Sequence, residues 1–445
     1  MIFSRKTIEN SKYGRLLLEY VRNPLYRNSF FLLANTVLTS GLGFFFWMLV
    51  AHFYNVADVG TAAAVISAVN LLSILSLVGL GDAIIRFLPS SEKPTEMINS
   101  CITLSAACAV ALAAIFIAGM GLWSPALIFI RGNTITLVAF ILLILVWTAS
   151  SITDTVFIAG RKADFVLYKN TAISIMKLPL AALLAFSLHS FGIVGSQGIA
   201  TAVAVLVSLF SLVPRMQKQY RFIPAVNFKI VRKIIPYSAG NHIAVILDVT
   251  SNQFLSIMVA NTLGSEQNAY FYMAWMIANL LFTIPAAAST SLIVEGSHFE
   301  NELEKKIGEA LRFNFALMVP GIILIQLLAG FMLGLFGAGY SANGALLLRV
   351  LAVSGIFSCV NGVYGSILRL KNRIKEIEII VIFKAIALVA GCYFILPVTG
   401  ITGVGYVWTA IQDLIAIYVL FAMKTVRKAK TTPEIPGSES NEKAK

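Results

Sequence analysis

Two stretches, GIVGSQGIATAVAVL at residues 192–206 and GITGVGYVWTAIQDL at residues 400–414, decide how this chain is built. At an offset of 208, Gly192-Ile193 meets Gly400-Ile401, Gly195 meets Gly403, Thr201-Ala202 meets Thr409-Ala410 and Leu206 meets Leu414. Nearer the start of each half the offset is about 209: Val50-Ala51 meets Val259-Ala260, and Asn70-Leu71-Leu72 meets Asn279-Leu280-Leu281. Self-similarity over half of a 445-residue chain marks a duplicated unit.

The duplicated unit is a membrane bundle. Apolar residues make up 58% of the sequence and charged residues 12%, against about 25% charged in a soluble domain. Runs of roughly 20 apolar residues cross a hydrocarbon core about 30 Å thick. Twelve such runs occur, at 31–54, 61–87, 98–122, 134–158, 168–188, 193–213, 238–263, 269–294, 311–335, 345–368, 377–396 and 404–423. The expected fold is an all-α integral membrane protein: twelve transmembrane helices in two parallel-repeat six-helix bundles around a central cavity. The expected segments are a basic amphipathic stretch at 1–29, bundles at 30–213 and 236–424, a linker at 214–235 and a disordered tail at 425–445.

Lys and Arg orient the bundles. Thirty of the 34 fall on one side, in its connections or at the adjoining span ends, and the opposite loops hold only Arg131. The positive-inside rule places that side, the linker and both termini in the cytoplasm, in a multi-pass protein of the cell membrane. Six spans per half return the chain to its starting side, so the repeats are parallel rather than inverted. No cleavable signal is expected, because the first 29 residues lack a short apolar stretch. Leu16-Leu17-Leu18 among Lys12, Arg15 and Arg22 suits an amphipathic segment on an anionic leaflet. Topology and anionic lipid account for the net charge of +13, and no nucleic-acid partner is implied.

Composition also narrows the chemistry. There is no GxxxxGK[ST] loop, no large outer catalytic loop and no place for a metal–nucleotide pair, so neither an enzyme nor a cofactor is expected. Cys101, Cys108, Cys359 and Cys392 fall inside spans without metal-ligand spacing, and the four histidines are scattered at span ends and in loops.

The informative residues are charges inside spans, each of which costs a few kcal/mol. Lys177 lies near the middle of span five and Lys384 near the middle of span eleven, 207 positions apart. Two readings stand: a cationic patch in a central cavity, suited to a phosphate, or separate local pairing, with Asp154 or Asp413 as partner. Arg349, in the outer part of span ten, extends that patch or snorkels to headgroups. Asp82 and Arg86 are four apart near the end of span two, spaced for a salt bridge or a binding element at the cavity mouth. Asp248, on one helix with Asn241 and Asn252, is the candidate for a proton or coupling cation, against a helix–helix hydrogen-bond role. Asp413, beside Gln412, is the second such candidate.

Further residues carry a family likeness. Tyr54…Gly60 leads into Gly79-Leu80-Gly81…Arg86-Phe87-Leu88-Pro89, and the second half has Asp248, Leu263-Gly264, Ala269-Tyr270, Ala274 and Ile284-Pro285. With twelve spans in two parallel halves, the chain resembles the polysaccharide-transporter family, the O-antigen and lipid-linked oligosaccharide flippases. That family shares a superfamily with multidrug and toxin extrusion transporters and the lipid II flippases. The likeness runs from about Asn28 to Met423. It implies alternating access, a polyprenyl-phosphate- or diphosphate-linked oligosaccharide as substrate, membrane lipid around it, and a glycan polymerase or glycosyltransferases as partners. It also implies a cationic lumen, a role that Lys177 and Lys384 fit by chemistry. Two departures are visible: the lipid II flippases carry two extra C-terminal spans, and the first span here has no Asp or Glu where many drug exporters place one. The alternatives are a cation-coupled exporter of amphipathic drugs using Asp248 or Asp413, and a membrane scaffold in a glycan-assembly complex.

Overall fold

A computed structural model describes the backbone of residues 24–185, 188–296, 303–371 and 373–428, and their side chains except at 24–26, 236–245, 248, 286–296, 303–304 and 424–428. The amphipathic stretch before residue 24, the tail beyond 428, His298, and the side chains of Asn241, His242 and Asp248 lie outside the described residues.

Twelve long helices carry the described chain, and no strand occurs among the described residues. In the first half they are α1 (Pro24–Phe53), α2 (Val56–Ser76), α3 (Pro94–Ala118), α4 (Thr134–Ala159), α5 (Ala163–Leu184) and α6 (His189–Val207). In the second they are α7 (Phe228–Leu263), α8 (Ser265–Gly296), α9 (Leu303–Gly334), α10 (Ala338–Leu370), α11 (Ile374–Thr399) and α12 (Thr402–Lys428). Among the described residues, nine are long and apolar enough to cross a membrane. Of the other three, α5 carries Asp164, Lys169 and Lys177, while α7 and α8 run partly outside the described residues. Large apolar side chains stay exposed on the outer helices, among them Leu33, Val37, Leu327, Phe331, Phe394 and Val398. In water such a surface would be an association site; around a bundle it is the lipid-facing surface.

Packing repeats with the sequence. In the first half α1 packs on α5, α5 on α6, α3 on α4, and α4 on both α2 and α6. The helices six places later do the same: α7 on α11, α11 on α12, α9 on α10, and α10 on both α8 and α12. Across the halves, α2 packs on α7 and α8.

Span two is not one helix. The chain breaks after Ser76 at Val78 (φ +47°) and Gly79 (φ +72°), then resumes as a short helix over Leu80–Phe87. Glycine adopts this left-handed turn freely, whereas a β-branched valine does so only when its surroundings impose it. After span three comes a short helix, Met120–Trp123, followed by a 3-10 turn over Pro125–Gly132 that buries Leu127 and Ile130. Span six ends in a π turn at Ser208–Leu212 ahead of Pro214, which has no N–H to continue the helix.

At the end away from the basic connections the halves are clamped. A Cβ on Gly60 of α2 would stand 1.6 Å from the Ser265 carbonyl oxygen, so only glycine permits this crossing. Asn268 Nδ2 donates to the Gly60 carbonyl at 2.7 Å, and Thr61 Oγ1 to Ser265 Oγ at 2.9 Å. Asn261 on α7 closes the neighbouring gap, donating to the Trp123 carbonyl and accepting from the Ala126 N–H, both at 3.0 Å.

The connection into α7 is strapped to α3. Tyr220 Oη donates to Asn99 Oδ1 at 3.0 Å, Asn99 Nδ2 to the Arg221 carbonyl at 2.9 Å, and Asn227 Nδ2 to Glu96 at 2.6 Å. Asn227 also caps α7 by accepting from the Lys229 and Ile230 N–H groups. The Glu96 carboxylate, hydrogen-bonded to Lys93, holds that ammonium above the usual lysine range.

The turns joining α4 to α5 and α10 to α11 settle the register of the repeat. Gly160 N–H donates to Val156, Lys162 to Phe157 and Phe165 to Lys162; in the second half Lys371 donates to Ile367, Arg373 to Leu368 and Glu376 to Arg373. Every residue in the second set lies 211 positions after its counterpart. In this register Lys177 and Lys384, 207 residues apart, are not counterparts, although the 208 register of the Gly192 and Gly400 turns brings them within one position. Lys177 follows the start of α5 by 14 positions, and Lys384 follows the start of α11 by 10. Counted from these turns the two stand about one helical turn, about 6 Å, apart along their helices.

Candidate functional site

Between the halves, α1, α2, α7 and α8 enclose a cavity of about 490 Å³ whose wall includes Ser40, Trp47, Gln253 and Tyr272. A second cavity of about 530 Å³ lies within the second half, among α7, α8, α10, α11 and α12. Asn252 and Asn279 line both, so the two meet along these carboxamides. Rings mark the same route, with Trp275 edge-on to Trp408 at 5.0 Å and Phe282 tilted on Trp408 at 6.0 Å. A third, mainly apolar cleft of about 360 Å³ runs between α1 and α8, lined by Val37, Phe44, Phe45 and Leu280.

The second-half cavity holds two cations. Lys384 comes from α11, with Nζ 5.4 Å from the centroid of the Trp408 ring. Arg369 comes from the last turn of α10, at the basic end. Ser358, Asn361 and Gln412 line the same cavity. Asn361 Nδ2 donates to the Gln412 carbonyl at 3.0 Å and to Gln412 Oε1 at 2.8 Å. At the edge, Glu376 accepts from Tyr364 Oη at 2.6 Å and Tyr418 Oη at 2.8 Å and pairs with Arg373 at 2.8 Å, tying three helices together.

The structure separates residues that a single cationic patch would join. Lys177 packs between α5 and α1, its Nζ 4.4 Å above the buried Phe46 ring, and lines none of these three cavities. Arg349 is exposed on one face of α10 with exposed Leu346 and Val353, the position of a snorkelling side chain. Arg86 is exposed over the neighbouring Phe87 ring. Asp413 is half-buried beside Gln412, and only Gln412 lines the cavity. The Asp248 side chain lies outside the described residues, while Asn252, one turn on, lines both cavities.

Asp154 does have a lysine partner, and it is Lys169 rather than Lys177. The Lys169 Nζ lies 2.8 Å from Asp154 Oδ1 and donates to the Ser150 carbonyl at 2.8 Å, Ser150 Oγ at 2.9 Å and Thr153 Oγ1 at 3.3 Å. Its side chain is 1% exposed. Sequence reasoning places Lys169 among the connection charges because a lone lysine near a span end fits the positive-inside pattern. The cavity residues Arg369, Asn361 and Trp408 escape it for a similar reason: one sits in a basic cluster, and carboxamides and tryptophans occur throughout membrane helices. Asn361, Gln412 and Trp408 do lie at helical spacing on facing spans, a signal visible only once the facing is known.

No protein-family model matches the chain, and no curated protein matches it in sequence. Solved structures do match in shape. The lipid II flippase MurJ in an inward closed conformation aligns with TM-score 0.68 at 14% identity, covering 88% of this chain and 87% of that one. A multidrug resistance MATE family transporter of the MOP superfamily, inward-facing, aligns with TM-score 0.62 at 17% identity, covering 91% and 96%. A MOP superfamily transporter from Pyrococcus furiosus aligns with TM-score 0.57 at 14% identity, covering 97% and 100%. At these identities the likeness is one of fold: the chain has the helical membrane fold of MOP-superfamily transporters.

Proposed function

We propose that this protein is a flippase that carries a lipid-linked oligosaccharide, attached through a phosphate or diphosphate to a polyprenyl chain, across the cell membrane by alternating access. The observation that carries the reading is the second-half cavity, whose described lining includes the cations of Arg369 and Lys384 and the carboxamides of Asn252, Asn279, Asn361 and Gln412. Cations suit the phosphate, and amides and hydroxyls suit sugar hydroxyls. The α1–α8 cleft, apolar and next to exposed Leu33 and Val37, supports a path for the lipid tail beside the cavity. The Gly60–Ser265 clamp closes the end away from the basic connections. By the positive-inside rule that end is extracytoplasmic, and the cavity loads from the cytoplasm, where glycosyltransferases act.

Related folds transport both drugs and lipids, so the cation-coupled exporter is the competing reading. It needs a titrating acid at the cavity. Asp154 is committed to Lys169, which leaves Asp248 and Asp413 as the coupling candidates. Proteoliposomes holding a fluorophore-tagged polyprenyl-diphosphate oligosaccharide test the choice, with a membrane-impermeant quencher reporting which leaflet holds the label. Flipping by the parent and its loss in Lys384→Gln support the proposal. Gradient-driven ethidium export without lipid flipping would overturn it.

A further inference from the structure

Asn268 of α8 is fully buried at the clamp between the halves, and its carboxamide is bonded at both ends. Nδ2 donates to the Gly60 carbonyl of α2 at 2.7 Å, and Oδ1 accepts from Ser256 Oγ of α7 at 3.0 Å. The first bond settles the orientation, because a carbonyl only accepts and so must face the N–H end. Ser256 is therefore the donor of the second. Losing either bond leaves a polar atom of the carboxamide buried without a match, so each bond depends on the other.

The same elements build the cavity between the halves. Ser256 belongs to its wall, with Gln253 and Asn252 about one turn earlier on α7. Phe271 and Tyr272, also on the wall, follow Asn268 on α8 by three and four positions, one helical turn. The carboxamide thus joins the wall of the cavity to the contact that closes its outer end. Ser256 has an alternative acceptor. A helical serine can turn its hydroxyl back to the carbonyl four residues earlier, and Ser251 on the same helix does so with Leu247 at 2.6 Å. For Ser256 that carbonyl belongs to Asn252, a residue that lines both cavities. One rotamer of the serine holds the carboxamide against Gly60, and the other releases it. The first half lacks this device: 209 positions earlier, Asn268 and Ser256 correspond to Val59 and Trp47, and the buried valine side chain neither donates nor accepts.

We infer that Asn268 is a latch through which the cavity between the halves controls its own outer gate. An occupant that repacks the wall moves α8 and frees the Ser256 hydroxyl to its own helix; the carboxamide then loses its orientation, and the Gly60 contact opens. Ser256 and Asn268 are positioning residues, and the state they bias is the closed arrangement of α2 against α8. The inference rests on the alternating access of the flippase reading and adds the step that makes opening depend on loading.

The test uses the full chain in lipid nanodiscs, its four cysteines replaced by alanine, with spin labels on Ile135→Cys and Val398→Cys. Both positions are exposed at the clamp end, one in each half. Double electron–electron resonance reads their separation with and without two probes, an undecaprenyl diphosphoryl oligosaccharide and ethidium. In the parent the lipid should raise the long-distance population about tenfold, the worth of two interhelical hydrogen bonds in a membrane. Ser256→Ala removes one bond and should raise that population about threefold without any probe, and Asn268→Leu, which removes both, about tenfold. In both variants the lipid should add nothing. Thr61→Val weakens the clamp beside the latch, to Ser265, so it should raise the population about threefold yet keep the response to lipid. A parent that responds to neither probe overturns the inference, as does Ser256→Ala responding to lipid as the parent does; in the second case the flippase reading stands. If ethidium alone lengthens the distance, and Ser256→Ala abolishes that response, the latch stands and the flippase reading falls.

Discussion

At the basic end of the first half, the space between α4 and α5 is filled; at the matching place in the second half it is hollow. The 211-position register makes the comparison residue by residue. Ser150, Asp154 and Lys169 correspond to Asn361, Gly365 and Ile380. The first three form a buried ion-pair network, and the second three line the 530 Å³ cavity. The surrounding core differs likewise. Ile152 and Val156 join a cluster with Leu80, Ile84, Met97 and Phe157, whereas their counterparts Val363 and Ile367 form a small cluster of their own among the described residues. At this place the first unit is filled by an ion pair and the second is open. A buried lysine with its acid removes space, whereas a glycine facing an isoleucine leaves it.

The largest expected effect breaks the ion pair. Asp154→Asn strands the Lys169 ammonium without its counter-charge and should destabilise by about 3 kcal/mol, the low end for a broken buried pair, because Asp154 keeps 26% side-chain exposure. Thermal unfolding in detergent measures it. The double change Asp154→Leu with Lys169→Met should return to within about 1 kcal/mol of the parent, since well-packed apolar pairs replace buried ion pairs at little cost. A double variant as unstable as the single one would show that the network does more than fill space.

Next comes the clamp that both halves share. Gly60→Ala puts a methyl group into the Ser265 backbone and should cost about 2 kcal/mol, as overpacking does. Its sharper readout is a cysteine pair placed at Thr61 and Ser265, now 2.9 Å apart at their hydroxyls. The pair should crosslink in the parent background and much less in Gly60→Ala. Equal crosslinking would mean that the clamp is set elsewhere.

A smaller effect converts one half into the other. A Cβ at Gly365 meets nothing within 4 Å, so Gly365→Asp with Ile380→Lys should fold and fill the cavity as the first half is filled. Binding of a polyprenyl diphosphate should fall by about tenfold or more, about 1.4 kcal/mol, with melting little changed. Retained binding would move the substrate site out of this cavity.

The smallest concerns the strap between the halves. Asn227→Ala removes the α7 cap and the bond to Glu96, and should cost about 1 kcal/mol in unfolding. No loss would leave the strap resting on Tyr220 and Asn99.

Much of the architecture is legible in the sequence, because a helix in lipid must satisfy its own backbone and so announces itself as a long apolar run. Span two reads as continuous because Val78 is as apolar as its neighbours; only its left-handed φ shows the break. Span five reads as starting at Tyr168, whereas the helix begins at Ala163 and carries Asp164 in its first turn. The candidate site is less legible. Lys384 lies on the cavity as its mid-span charge suggests, but Lys177 does not join it there and packs on Phe46 of α1 instead.

The sequence by itself determined what each segment must be: twelve apolar helices, a duplication, and a strongly one-sided distribution of Lys and Arg. Those properties are local or additive, so composition and spacing carry them. The tertiary structure alone decided which charges meet, which helix faces enclose space, and which copy of the repeat is hollow. Those depend on register and on contacts between residues far apart in sequence. A four-residue shift in register carries a side chain a full turn along its helix and about 6 Å deeper into the membrane.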